Sequence, residues 1–318
     1  MISREDYINK KIILINSIDG DKLSFKNDNL IIKDEEENVK LQYTLYRVLA
    51  IYVIGPFSLT SGLAERLRKY HISIIFFKYS FHPYLSILNG VEGNTELRQL
   101  QYSFSDSLIV ARRIIQNKIQ NQIQAIKKKR SAEDLPTLNL LRCYLEKVPE
   151  CQSIQEIMGY EGNASRVYFK SIFNQIEWCG RIPRIKMDPV NFLLDVGYTL
   201  LFSLIEATAT LFGFDLYVGI LHQEFYQRKS LVCDLIEPFR PIVDYSIRKL
   251  FNLGEVKLDD FEVYNGAYRL KRNASKNYQA ILLKEIIEYR EDIYKYVRKY
   301  YLWIRDVNQR KYEEFLLK

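Results

Sequence analysis

One stretch of the chain, residues 222–244, gathers most of the side chains that could do chemistry. It holds a histidine, two acids three residues apart and an arginine between two prolines, namely His222, Asp234, Glu237 and Arg240. Residues three apart share one face of a helical turn, so the two carboxylates are expected about 5–6 Å apart at Cβ and in need of a cation. Carboxylate oxygens suit Mg²⁺ or Mn²⁺, and an imidazole shifts the preference toward Mn²⁺. The stretch therefore predicts half of a divalent-metal site.

The composition is that of a globular protein with a basic surface. Of 318 residues, 47% are hydrophobic and 27% are charged, which excludes global disorder and allows two domains. The net charge of +7 is compatible with a polyanionic partner such as nucleic acid, or with a surface kept basic for solubility. Four cysteines without a CxxC pair indicate neither a zinc motif nor a disulfide framework. The N-terminus has no signal-peptide core, so the reducing cytoplasm is the expected compartment.

Residues 189–214 are the stretch that is apolar enough to suggest a membrane span. Asp195 and Glu206 interrupt it. An acid at bilayer depth is costly, and two acids on different faces of one helix are worse. We therefore predict that this helix is buried in a protein core and that the chain has no membrane partner.

The pattern of apolar residues changes near residue 90. Before it, residues 11–88 consist of short runs rich in β-branched and aromatic residues, separated by turn residues and interrupted by one helix. After it, from Glu96, apolar residues recur at helical spacing. Helices are predicted near 134–147, 152–177, 189–213, 229–251 and 277–316, after a first long helix that ends near Arg130. The sequence thus predicts an α+β protein with a small antiparallel sheet or sandwich domain at 1–90, a linker at 91–95 and an all-α domain at 96–318.

A second acid, Glu161, lies in one of the predicted helices. Three small residues follow it, Gly162, Ala164 and Ser165, and they would allow another helix, a metal or a DNA backbone to approach the carboxylate. An acid in a first helical turn is the alternative explanation. Tyr168 is expected to anchor this helix in the core, which would keep the acid near a buried surface. Glu161 could therefore supply the ligand that the first stretch lacks.

Three motifs of the chain resemble one known family. The helix around Glu161 reads EGNASRVYF, which is similar to the EG-x-A-x-x-x-YF signature of the CRISPR-associated adaptation integrase, the catalytic protein that inserts new spacers into CRISPR arrays. The apolar helix reads DPVNFLLDVGYTLL and resembles that family's DP-x-N-x-x-L-x-x-GY-x-x-L helix. GILH, which ends at His222, and SLVCDLIEPFRPIVD in the first stretch resemble its GxLH and DL-x-E-x-x-RP-x-VD motifs. The order of the motifs is the family's, and the resemblance covers nearly the whole chain.

The resemblance implies a metal site and a particular set of ligands. The family's glutamate, histidine and acid fall on Glu161, His222 and Glu237, with Asp234 beside them as a supporting or alternate ligand. Glu237 stands where some relatives carry aspartate, so it stays open whether Asp234 or Glu237 is the direct ligand. Pro238 is expected to push Glu237 out of the α region.

The resemblance also implies an activity and partners. The expected enzyme is a Mg²⁺- or Mn²⁺-dependent DNA endonuclease and integrase, which joins a 3′-hydroxyl of spacer DNA to a phosphodiester of the CRISPR repeat by transesterification. The expected partners are double-stranded DNA, a second copy bound through the β domain and a small companion adaptation protein, in the cytoplasm of a prokaryote. Arg240 is interpreted equally as a phosphate contact or as an ion pair with Glu237 or Asp244.

Two other functions remain as alternatives. The same site with water as the nucleophile would make a metal-dependent nuclease of branched or single-stranded DNA that does not integrate. A non-catalytic scaffold that binds nucleic acid is the alternative of another class. The joint presence of Glu161, His222, Asp234 and Glu237 argues against the scaffold, because a protein without catalysis has no reason to keep all four.

Overall fold

The structure, a computed structural model, describes residues 3–17, 20–78, 81–104, 106–176, 178–222, 225–306, 312 and 314–318. The first part of the chain alternates strands with two short helices: α1 Arg4–Asn9, β1 Lys11–Asn16, β2 Lys22–Lys26, β3 Asn29–Lys33, β4 Val39–Thr44, β5 Val48–Ile54, α2 Ser61–Lys69, β6 Ser73–Phe77 and β7 Pro83–Ile87. The rest is mostly helical: α3 Thr95–Tyr102, α4 Ser107–Lys127, α5 Leu135–Lys147, α6 Ile154–Ile172, α7 Pro189–Thr210, α8 Ser230–Ile236, α9 Arg240–Asn252, β8 Phe261–Tyr264, β9 Ala267–Leu270, α10 Arg272–Glu288 and α11 Arg290–Arg305. The predicted α+β class is confirmed.

The N-terminal strands form two sheets. β2, β3 and β4 make an antiparallel meander. The other sheet has the order β1-β5-β6-β7, in which β6 and β7 pair antiparallel while β1–β5 and β5–β6 pair parallel. Parallel neighbours need a crossover connection, and here α2 joins β5 to β6 while the meander joins β1 to β5. The predicted antiparallel pairing therefore holds for the meander and the last strand, and the two crossovers account for the parallel pairs.

β5 lies at the centre of this arrangement. All seven of its residues are buried. Successive side chains of a strand point to opposite faces, so Ile51 and Val53 pack in the cluster shared with β3, whereas Ala50 and Tyr52 pack in the core of the helical part. Burial on both faces explains why the run VLAIYVI shows no polar alternation.

The apolar helix α7 crosses the core of the helical part. Its length and composition would suffice to cross a membrane, but 83% of its most apolar window is buried inside the protein, which confirms the core prediction. Its two acids are paired: Asp195 accepts from Arg181 at 2.6 Å, and Glu206 forms an ion pair with Lys229. These cations reduce the cost of placing the acids on an otherwise apolar helix.

The segment between the two parts is fastened to the end of α7. A Cβ on Gly90 would lie 2.2 Å from the carbonyl oxygen of Thr210, so only glycine allows this approach. The Nδ2 of Asn94 donates to the carbonyl of Phe212 at 2.9 Å. The predicted division into domains at residues 91–95 stays a prediction.

Several helix boundaries differ from those predicted. The predicted helix 229–251 is divided into α8 and α9 by a 3₁₀ turn at Glu237–Phe239, and the predicted helix 277–316 is divided at Tyr289 and ends at Arg305. A hairpin, β8–β9, lies between two of the predicted helices, in the domain that was predicted to be all-α. Its turn residues Asn265 and Gly266 have φ of 51° and 76°, as a tight two-residue hairpin turn requires.

Candidate active site

A cleft of about 1080 Å³ opens between α4, α6, α7 and the turn that joins α8 to α9. Acidic and basic side chains from all of these elements line it, among them Lys118, Glu161, Arg181, Glu237, Arg240 and Asp244. The predicted site residues Glu161, Glu237 and Arg240 therefore lie on one cavity.

Lys118 on α4 joins the two predicted glutamates. Its Nζ lies 2.5 Å from Oε1 of Glu161 and 2.6 Å from Oε2 of Glu237, and its side chain is only 9% exposed. The sequence reasoning did not single out this lysine. The signal that could have found it is its position in α4 four residues after Ile114, where the helical pattern places an apolar residue facing the core.

Glu161 is held by its own helix as well as by Lys118. The Oγ of Ser165, one turn later in α6, donates to Oε1 of Glu161 at 2.8 Å. Burial opposes ionisation of Glu161, but the ammonium of Lys118 outweighs it and holds the pKa of this carboxyl below its usual range. Ser165 thus orients the acid, and Tyr168 anchors the helix with no exposure, as predicted.

Glu237 directly follows α8. It adopts φ −53° and ψ −46°, so the expectation that Pro238 pushes it out of the α region is wrong. Pro238 occupies the first turn of the 3₁₀ segment Glu237–Phe239, where a residue without an N–H is tolerated. Burial raises the pKa of Glu237, but the charges of Arg240 and Lys118, with a contribution from His222, lower it to about 2.

Arg240 pairs with Glu237, which is one of its two predicted roles. Its Nε donates to Oε1 of Glu237 at 2.9 Å, and its guanidinium lies 4.7 Å above the ring of Tyr198. Its side chain remains 28% exposed to the cleft. The ion pair and the stacking fix the guanidinium plane at the wall of the cavity.

His222 and Asp234 form a unit of their own. Asp234 is fully buried, and its Oδ1 contacts Nδ1 of His222 at 2.7 Å. The same carboxylate accepts the backbone N–H groups of Ile220 (2.6 Å), Leu221 (3.0 Å) and His222 (2.9 Å). Gly219 allows this loop to approach α8, since a Cβ there would lie 2.7 Å from the backbone of Ser230. With Nδ1 of the imidazole occupied by Asp234, Nε2 is the atom left for another partner.

The two acids Asp234 and Glu237 therefore face different partners, although they are three residues apart. Asp234 contacts the loop of His222, whereas Glu237 contacts Lys118 and Arg240. Within the described part of the chain, no group of three or more His, Cys, Asp or Glu side chains is close enough to hold a metal ion. The structure brings Glu161 and Glu237 together, with the Lys118 ammonium in contact with both.

The donor set nevertheless fits a divalent cation. Oε2 of Glu237 is buried and has no aligned hydrogen bond to the described residues, although Lys118 lies beside it. Two ionised carboxylates and an imidazole held by a carboxylate are the ligands that Mn²⁺ and Mg²⁺ sites use. These features make Glu161, Glu237 and His222 the candidate ligands, and Asp234 the residue that orients the imidazole.

Asp244 lines the same cleft. Tyr198 and Tyr168 donate their hydroxyls to its two oxygens, the latter at 3.1 Å. Burial raises the pKa of Asp244 to about 6, although the two hydrogen bonds and the charge of Arg240 act in the opposite direction. This network fixes the ring of Tyr198, on which Arg240 lies.

Comparisons with known proteins agree with the motifs. The family model described as CRISPR associated protein Cas1 matches residues 14–282. A CRISPR-associated endonuclease Cas1 from Thermodesulfovibrio yellowstonii is 32% identical over 290 residues, which cover 86% of this chain and 88% of the relative.

Solved structures show the same fold at lower identity. A casposase bound to integration product superposes with a TM-score of 0.80 at 21% identity, over 97% of this chain and 96% of that chain. A Cas6-RT-Cas1–Cas2 complex gives a TM-score of 0.81 at 22% identity, over 98% of this chain, which spans 36% of the length of the chain it matches there. On the matched length and the identity to a curated relative, this chain belongs to the CRISPR-associated protein Cas1 family.

Proposed function

We propose that the protein is a divalent-metal-dependent DNA endonuclease and integrase of CRISPR adaptation. The observation that carries the proposal is the pair Glu161 and Glu237, two ionised carboxylates that face each other across Lys118 in a cleft. The charge of His222, whose imidazole Asp234 holds, acts on Glu237 as well. Family membership and a casposase solved with its integration product support DNA as the substrate.

In this proposal Glu161, Glu237 and His222 hold the metal ion. When bound, a Mg²⁺ or Mn²⁺ ion supplies Lewis-acid polarisation of the phosphoryl oxygen and neutralises the charge that builds up there. The imidazole favours Mn²⁺ over Mg²⁺. Asp234 keeps the imidazole in one tautomer and one orientation, and Ser165 fixes the carboxylate of Glu161.

The chain's remaining contribution is to bind and align DNA. Transesterification forms one phosphodiester and breaks another, so the protein must position a 3′-hydroxyl and a phosphate and need not supply bond energy. Arg240 offers a fixed guanidinium plane for a phosphate. Basic side chains on the cleft walls would attract the backbone without regard to sequence, namely Arg184, Lys186 and Arg228.

The proposed partners extend beyond the DNA. A small companion protein is supported by the solved Cas1–Cas2 complex. A homodimer formed through residues 1–90, in the cytoplasm of a prokaryote, completes the proposal. Analytical ultracentrifugation of the purified full-length chain tests the dimer.

The activity is tested with a branched DNA that mimics a half-integrated spacer. The purified protein is incubated with Mn²⁺ or Mg²⁺, and labelled strands are resolved on a denaturing gel. We expect the flanking strands to be religated and the branch released, and we expect loss of this reaction in Glu161→Gln, in His222→Ala and in EDTA.

The control is Glu156→Gln, which changes an acid in the same helix that contacts the backbone N–H of Gln152 instead of the cleft. It should keep the activity. Metal-dependent hydrolysis without religation would support the nuclease instead. Folded wild-type protein that binds DNA but does neither, even with its companion protein, would support the scaffold.

A further inference from the structure

We propose that Lys118 is a built-in counter-cation of the metal-free site, and that a divalent ion binds by displacing its ammonium from Glu161 and Glu237. The proposal rests on the proposed function, since it takes these two glutamates as metal ligands. It assigns to Lys118 a positioning role that opposes metal binding.

The geometry places the ammonium where a metal would bind. One nitrogen contacts Oε1 of Glu161 at 2.5 Å and Oε2 of Glu237 at 2.6 Å, so it bridges the two carboxylates. A divalent ion held by both carboxylates would need the same oxygens. Ammonium and metal therefore compete for one position.

The burial of the cluster makes this contact strong. Lys118 and Glu237 are 9% and 5% exposed, and Ile115 and Ile119 beside the lysine are fully buried. Two ionised carboxylates this deep would repel each other without a cation, and a buried charge that loses its partner is costly. Lys118, together with Arg240 at Glu237, keeps both acids charged and in place until a metal arrives.

The side chain of Lys118 can also move away from the two glutamates into the cleft. Lys118 lines the cleft as well as touching the two acids, and its four-carbon stem can rotate while α4 stays fixed. An arginine or a short side chain at this position would not combine a point charge with this freedom. The cost of moving the ammonium is then part of the measured affinity for the metal.

If Lys118 had only a structural role, replacing it would change the affinity for the metal in the opposite direction. If the lysine only keeps Glu161 and Glu237 in position, its removal would let the carboxylates separate and would weaken metal binding. If it competes with the metal, its removal strengthens binding, because the metal no longer has to displace it. The dissociation constant of Mn²⁺ therefore distinguishes the two roles.

The experiment compares Lys118→Met with the wild type in full-length protein. Mn²⁺ binding is measured by the electron paramagnetic resonance signal of the free ion, and thermal unfolding is recorded without and with Mn²⁺. We expect the variant to unfold at a lower temperature without metal, and to bind Mn²⁺ about tenfold more tightly because no buried ion pair has to be broken.

Lys129→Met is the matched control. Lys129 lies two residues beyond the end of α4 and its side chain is buried too, but it pairs with Asp134 at 2.8 Å, away from the two glutamates. Its loss should lower the unfolding temperature and leave the affinity for Mn²⁺ unchanged. If Lys118→Met does not yield folded protein, Lys118→Gln carries the same expectation, since its amide can donate to one carboxylate without a charge.

Two results would overturn the inference, and they are distinguishable. If the wild type binds Mn²⁺, Glu161→Gln does not, and Lys118→Met binds equally or more weakly, Lys118 is not a competitor, while the metal site stands. If Glu161→Gln binds Mn²⁺ as the wild type does, the proposed site itself is wrong and the role of Lys118 falls with it.

Discussion

Replacing Asp234 with asparagine should destabilise the protein and remove the carboxylate that orients the imidazole of His222. The carboxylate accepts four N–H groups, two at each oxygen. Asparagine keeps one oxygen, so two donors lose their acceptor whichever oxygen is replaced. A hydrogen bond to a charged group is worth about 1.5–3 kcal/mol, so the variant should lose roughly 3–6 kcal/mol of unfolding free energy.

His222→Ala provides the comparison that separates the two effects. It removes the imidazole contact but leaves the three backbone N–H groups on Asp234. Its cost should be smaller, about 1.5–3 kcal/mol, because one hydrogen bond to the carboxylate is lost instead of two. Both variants should lose strand transfer. Because Asp234 acts through the imidazole, adding Asp234→Asn to His222→Ala should cause no further loss of activity and no further loss of Mn²⁺ affinity.

The assays are urea unfolding followed by tryptophan fluorescence, strand transfer on branched DNA and Mn²⁺ titration, all on the same preparations. The reasoning is refuted if Asp234→Asn is as stable as the wild type. It is also refuted if the double variant binds Mn²⁺ more weakly than His222→Ala alone, because Asp234 would then be a direct ligand.

Two further variants test the walls of the cleft. Arg240→Ala should lose about 1–3 kcal/mol of stability, because Glu237 loses a charged partner. If the guanidinium binds a phosphate, the slope of log K for DNA binding against log salt concentration should fall by about one. An unchanged slope would mean that Arg240 only forms the ion pair. Asp244→Asn tests the pH dependence. The folded pKa of Asp244, about 6, lies above the ordinary 3.8, so this carboxyl contributes stability that is present below about pH 4 and lost as pH rises through 6. The stability of the variant relative to the wild type should therefore rise by about 2 kcal/mol between pH 4 and pH 7. Urea midpoints measured across this range check it, and a flat difference would contradict it. Arg240 and Lys118 face the carboxyl with their charges, and Tyr168 and Tyr198 with their hydroxyls.

Motifs within single helices could be read from the sequence because their side chains share one element. The apolar pattern of α7 predicted a core helix, and Glu161 with Tyr168 predicted a helix anchored near a buried surface; both are found. The contact between Lys118 and the two glutamates joins three separate elements, so no local spacing encodes it. The position of Lys118 one turn after Ile114, on the buried face of α4, was the available signal.

The three-residue spacing of Asp234 and Glu237 also did not predict which partners each carboxylate contacts. Three-residue spacing indicates neighbouring carboxylates, but it does not say which donors already occupy them. The backbone N–H groups of residues 220–222 occupy Asp234, and this depends on a loop whose course no periodicity describes. The hairpin at Asn265–Gly266 was missed for a different reason, because a turn signal lay between weak strand patterns in a mostly helical region.

If Glu161, Glu237 and His222 hold one divalent ion, an anomalous difference map from a crystal of the protein soaked in Mn²⁺ should show it. We expect one manganese peak bounded by these three side chains, with the Lys118 ammonium withdrawn from the carboxylates. A peak elsewhere, or Lys118 still bridging the two glutamates with no manganese beside it at saturating Mn²⁺, would contradict it.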